Sequence, residues 1–90
     1  MPVVEKTVVI TNKVGLHARP ATLFVQEAAR FQAQIQIQCG EKSANAKSIL
    51  SVLKLGARQG ASLLLRGEGE DAAEALQALV ALVDGKFGEE

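Results

Sequence analysis

Seven consecutive residues, Ala33-Gln34-Ile35-Gln36-Ile37-Gln38-Cys39, alternate strictly between a small or aliphatic side chain and an amide. Successive side chains of a strand point to opposite faces, so this segment predicts a strand with one face in a core and the other in water. On that buried face Cys39 acts as a small hydrophobe. A sheet built on such a strand needs a cover on one side only. The cover is legible nearby. Ala21, Phe24, Val25, Ala28 and Phe31 fall on one helix face, and Ala72, Leu76, Leu79, Val80 and Val83 form a second stripe.

The rest of the chain supplies three more strands and a third helix. Thr7-Val8-Val9-Ile10 is β-branched and bounded by Thr11-Asn12, which predicts a first strand. Pro20 fits the first turn of a helix, where a missing N–H is tolerated, so the first helix begins close to His17. Gly40-Glu41-Lys42 reads as a tight turn, and residues 43–46 as a short return strand. Residues 47–55 predict a short helix ended by Gly56 as a left-handed cap, and residues 61–66 a fourth strand. Asp71-Ala72-Ala73-Glu74 has the form of a capping box ahead of the last helix, which Gly85 closes.

The order β-α-β-β-α-β-α predicts an α+β fold: an open-faced two-layer sandwich with a four-stranded antiparallel sheet and three helices on one face. At 90 residues the chain fits a single domain over 1–90, with 86–90 as a short tail.

Composition narrows the chemistry. Trp and Tyr are absent, which removes the usual residues of aromatic cages and base-stacking platforms, so no nucleic-acid partner is expected. One Cys and one His exclude an intramolecular disulfide and the common His/Cys zinc sites. The apolar run at 78–83 falls far short of the roughly 20 residues of a spanning helix, and the N-terminus lacks a signal-peptide pattern. The expectation is a soluble, cytoplasmic monomer with no membrane insertion.

Zero net charge hides an asymmetry. Residues 1–67 carry nine Lys or Arg against three acids, while residues 68–90 carry seven acids against Lys86. Such a split suits a positive face that steers an acidic partner or an anion, and equally a solvated surface whose halves balance.

Gly15-Leu16-His17-Ala18-Arg19-Pro20 places a histidine at a strand-to-helix junction. A helix start offers free backbone N–H groups, here those of Ala18 and Arg19, and binds phosphate readily. Arg19 is positioned to hydrogen-bond an anion there, and Gly15 lets the chain turn. These are the parts for a phosphoryl group held transiently on imidazole. On residue type alone His17 reads as well as an ordinary surface residue. A hydrolytic triad has less support, since no Ser or Asp is visibly paired with it.

The motif Gly15-Leu16-His17-Ala18-Arg19-Pro20-Ala21 and the segment Ala46-Lys47-Ser48-Ile49-Leu50, with Leu55-Gly56 and Gln59-Gly60 at matching spacing, resemble the histidine-containing phosphocarrier (HPr) family of the bacterial phosphoenolpyruvate-dependent phosphotransferase system. The resemblance covers essentially the whole chain. It implies a stoichiometric carrier rather than an enzyme, in which His17 accepts phosphate on Nδ1 from phospho-enzyme I and passes it to enzyme IIA. It implies that Arg19 contacts the phosphoryl group and that neither a metal nor another cofactor takes part.

Ser48 matches the serine that HPr kinase/phosphorylase modifies in some branches of the family, and it is also a common type of helix N-cap. The following helix carries more apolar residues than one face can bury. Ile49, Leu50 and Leu53 are assigned to a docking patch, and Val52 and Leu55 to the core. The resemblance extends the partner face to Leu16, Lys47, Lys54 and Gly56. There are departures. Val14 stands where many relatives carry a polar residue. Residues 10–15 and 78–82 with Phe87 are similar to the family's nitrogen-regulatory branch, whereas Lys47-Ser48-Ile49-Leu50 is similar to the sugar branch, so both branches stay open.

Overall fold

A computed structural model describes residues 3–88, so Met1, Pro2, Glu89 and Glu90 and the readings that fall on them lie outside it. Strand β1 (Val3–Val9) leads into helix α1 (Ala18–Ala29), strands β2 (Gln34–Cys39) and β3 (Lys42–Asn45) and helix α2 (Ile49–Lys54). Strand β4 (Ser62–Glu68), helix α3 (Ala72–Asp84) and a single 3-10 turn (Lys86–Gly88) complete the order. The sheet runs β1-β4-β2-β3 with all three pairs antiparallel, and the helices cover one face. This is the open-faced α+β sandwich that the alternation at 33–39 predicts.

The register aligns the buried side chains. Val8 lies opposite Leu63, and Ile37 lies between Leu65 of β4 and Ala44 of β3. All five are buried, while Gln34, Gln36 and Gln38 face solvent. Phe24 and Ala28 of α1 and Leu76, Leu79 and Val83 of α3 close the layer from above. Burying Phe24 alone contributes about 2–3 kcal/mol. Val25 and Phe31, expected on the same stripe, pack at its margin and stay half-buried, as does Cys39. Strand β1 starts earlier than its β-branched run suggests, because pairing with β4 extends it back to Val3, opposite Glu68.

Two expectations are corrected at α3. Asp71 does occupy the N-cap position, but its side chain caps nothing. Its carboxylate instead accepts hydrogen bonds from the backbone N–H groups of Gln32 and Ala33, each at 2.8 Å, and so ties the α3 start to the α1–β2 loop. Each carboxylate oxygen takes one of those two N–H groups, Oδ2 that of Gln32 and Oδ1 that of Ala33.

The second correction concerns the tail. Gly85 ends α3 at φ −82°, and the left-handed step falls on Lys86 and Phe87 at φ 56° and 54°. That path costs about 1–2 kcal/mol per residue, and it folds Phe87 back into the core, where it is 5% exposed. Burying one phenyl ring recovers about as much.

The Asp71 clamp gives a pH-dependent prediction. The Gln32 N–H, and then that of Ala33, hold the carboxyl below the usual carboxylate range against an opposing desolvation effect. A depressed folded-state value adds stability above the unfolded-state value, and this stability is lost as pH falls through the folded one. Asp71→Asn should therefore melt lower than the parent near neutral pH and converge on it in strong acid. Thermal melts across that range check it, and parallel curves would refute it.

Candidate functional site

The loop ahead of α1 is built from the inside out. Ile10 continues the pairing of β1, its N–H donating to the Ala61 carbonyl at 2.9 Å while the Gly60 N–H donates to its own carbonyl at 2.7 Å. Asn12 is fully buried, and its Nδ2 donates to the Gly15 carbonyl at 3.0 Å across a tight turn. Gly15 takes φ +63°, and a Cβ there would stand 2.5 Å from the Ala57 carbonyl oxygen and 2.8 Å from the Arg58 Cα. Only glycine fits. The Leu16 N–H then donates to the Ala57 carbonyl at 3.0 Å. The α2–β4 loop and the loop before α1 are thereby stitched together directly behind His17.

His17 is the N-cap of α1, extended at φ −78° and ψ −175°, with its side chain exposed and making no cap hydrogen bond. Its carbonyl accepts from the Ala21 N–H at 2.8 Å, which starts the helix. Helix geometry leaves the N–H groups of Ala18 and Arg19 without intrahelical partners, and Pro20 has no N–H to leave. The ring is thus presented at the positive end of a twelve-residue helix, free to react.

His17 lines a depression of about 240 Å³ together with Val14, Leu16, Leu53, Gly56, Ala57 and Arg58. Leu53 and Gly56, expected at the partner face, do border His17. Ile49, Leu50 and Leu53 share the outer face of α2 and are 36%, 67% and 37% exposed, whereas Val52 and Leu55 are buried as expected. Lys54 is exposed beside them. Gly56 takes φ +62° as the left-handed residue after α2.

Other expected residues contribute less or lie elsewhere. Leu16 lines the same depression but is only 4% exposed, so it offers a partner little surface. Lys47 Nζ donates to the Phe31 carbonyl at 2.6 Å and lines a different, larger depression of about 410 Å³ with Gln34, Gln36, Asn45, Arg66 and Glu68. Ser48 is the half-buried N-cap of α2, its Oγ accepting from the Ser51 N–H at 3.4 Å. Arg19 is exposed at the helix start but does not line the depression.

Arg58 does, and nothing in the sequence pattern singled it out. Its only local signal is its place between Gly56 and Gly60 in a loop already marked by glycines.

Comparison with known proteins bears on this geometry. The PTS-HPr family, described as the PTS HPr component phosphorylation site, matches residues 4–84. A phosphocarrier protein NPr from Shewanella violacea is 48% identical over 89 residues, covering 99% of this chain and 98% of that protein. The crystal structure of HPr-C-His from Thermoanaerobacter tengcongensis superposes with a TM-score of 0.93 at 52% identity, covering 97% of this chain and 98% of that one. A crystal structure of an HPr dimer from the same organism gives 0.78 at 51% identity, covering 91% and 94%. The family match runs from within β1 to the last residue of α3, taking in the His17 loop, the α2 face and the sheet beneath them together, and the chain belongs to the HPr family of phosphotransferase-system phosphocarriers.

Proposed function

We propose that this chain accepts a phosphoryl group from phospho-enzyme I on Nδ1 of His17 and hands it to a histidine of enzyme IIA, as a cytoplasmic carrier of the sugar phosphotransferase system. The observation that carries this reading is the exposed His17 ring, uncapped at the start of α1, with the unpaired N–H groups of Ala18 and Arg19 beside it. Arg19 contacts the phosphoryl oxygens from the first turn of the helix. Residues 1–90 act in this reading as one domain and one copy.

In the transfer the Nδ1 lone pair forms an N–P bond while the N–P bond to the donor imidazole breaks and its electron pair returns to that ring. Each ring keeps the proton on its other nitrogen, so no net proton moves. One N–P bond replaces another. The step is therefore close to reversible, and a carrier needs interactions that favour the transition state over tight holding of phosphate. Incubation with labelled phosphoenolpyruvate and enzyme I should yield an acid-labile, base-stable label. Failure to label would leave a binding module that no longer transfers.

A nitrogen-regulatory role draws support from the similarity to NPr over nearly the full chain. Presenting the labelled carrier to sugar-branch and nitrogen-branch enzyme IIA separates the two roles by which one takes the phosphate.

The outer face of α2 is the partner surface in this reading, and Ser48 is a regulatory site for HPr kinase/phosphorylase at its edge. A negative charge there favours the helix start by about 0.5 kcal/mol and repels an acidic partner beside Ile49 and Leu50. Ser48→Asp should raise the melting temperature slightly and slow acceptance from enzyme I. Raised stability with unchanged acceptance would make Ser48 a cap and nothing more.

A further inference from the structure

We propose that Arg58 is a second cation that contacts the phosphoryl group on His17, reaching it from a segment of chain remote from the family's active-site motif. This rests on the carrier reading and adds to it a residue that neither motif contains. Arg58 and His17 line the same depression of about 240 Å³. The backbone of Arg58 is fixed relative to His17 on three sides. Gly15 packs against its Cα, the preceding Ala57 carbonyl accepts from the Leu16 N–H at 3.0 Å, and its own carbonyl accepts from the Ala61 N–H at 2.9 Å. The side chain is exposed and therefore able to swing over the depression.

The pairing of the four arginines supports the same assignment. Arg30 lies 2.9 Å from a Glu27 carboxylate oxygen, and Arg66 lies 3.8 Å from Glu5. Among the described residues neither Arg19 nor Arg58 forms a salt bridge. Among the described residues, the two arginines that hold no carboxylate are thus the one two residues after His17 and the one that lines its depression. A planar fork of N–H donors matches two phosphoryl oxygens at once. One arginine on α1 and another on the α2–β4 loop then share the charge of the dianion, which favours both the phosphorylated carrier and the charge-rich transition state leading to it.

The test begins without any partner protein. Potassium phosphoramidate phosphorylates the chain's one histidine directly, and 31P NMR follows the titration of the bound phosphoryl group. Arg58→Ala should raise the midpoint of that titration, because a nearby cation favours the more charged form. Arg58→Lys should restore part of the shift. With enzyme I as donor, Arg58→Ala should accept phosphate about tenfold more slowly, the loss expected for one charge-assisted hydrogen bond.

An unchanged midpoint overturns the contact. If the rate still falls, Arg58 serves partner docking instead. Failure of enzyme I to label the parent chain, with the Arg58-dependent midpoint intact, would sink the carrier reading and leave the contact standing.

Discussion

His17→Ala is expected to abolish phosphate acceptance from enzyme I, from about one acid-labile phosphate per chain to none, with the fold intact. The chain has no second imidazole to take the phosphoryl group in place of His17. The folding cost should stay within about 0.5 kcal/mol, because the ring is exposed and caps no N–H group. Labelled phosphoenolpyruvate with an acid or alkaline quench reads the first effect, and a thermal melt reads the second. Undiminished acid-labile label in the variant would end the assignment of His17. A melt shifted by many degrees would show that the ring holds the loop rather than awaiting a phosphate.

The other large effect concerns a residue with no side chain. Gly15→Ala should destabilise the chain by about 3 kcal/mol, combining a left-handed backbone penalty with overpacking against a neighbouring loop. In a domain of this size that corresponds to a fall of roughly 15 °C in melting temperature. The new methyl would sit 2.5 Å from the Ala57 oxygen and 2.8 Å from the Arg58 Cα, both backbone atoms with no rotamer to yield. Gly40 isolates the backbone part, since it takes φ +62° with nothing within 4 Å of its Cβ position. Gly40→Ala should cost only about 1 kcal/mol. With Trp and Tyr absent, far-UV circular dichroism or calorimetry must follow unfolding. Equal losses at the two glycines would mean that the loops move apart freely.

Much of the sandwich was legible because its signals are local. The amide–aliphatic alternation at 33–39 marked the buried face of β2, and the stripes at 21–28 and 72–83 marked the covering helices. What escaped depends on residues far apart in sequence. Asp71 serves N–H groups 38 and 39 residues away, so a local capping pattern misassigned its carboxylate. Phe87 follows a helix-ending glycine and looked like tail, because left-handed backbone at Lys86 and Phe87 is not what either residue prefers. Leu16, expected at the partner face, is only 4% exposed, its N–H tied to the Ala57 carbonyl of a loop distant in sequence. Arg58 was missed for the same reason that Asp71 was misassigned: its neighbour is set by the folded loops and not by spacing.

Among the described residues, the strand order β1-β4-β2-β3 leaves the outer margins of β1 and β3 without hydrogen-bonded neighbours. Such margins invite further strands to add on, and a chain rich in Val, Ile and Leu is at particular hazard of growing into fibrils. Both margins are blunted. Strand β1 carries Glu5 and Lys6 side by side at its centre, while β3 is only four residues long and begins at Lys42. An incoming strand would have to desolvate those charges on one side and would find too short a template on the other. Self-addition at either margin is thereby disfavoured, while the helical side keeps Ile49, Leu50 and Leu53 in the open.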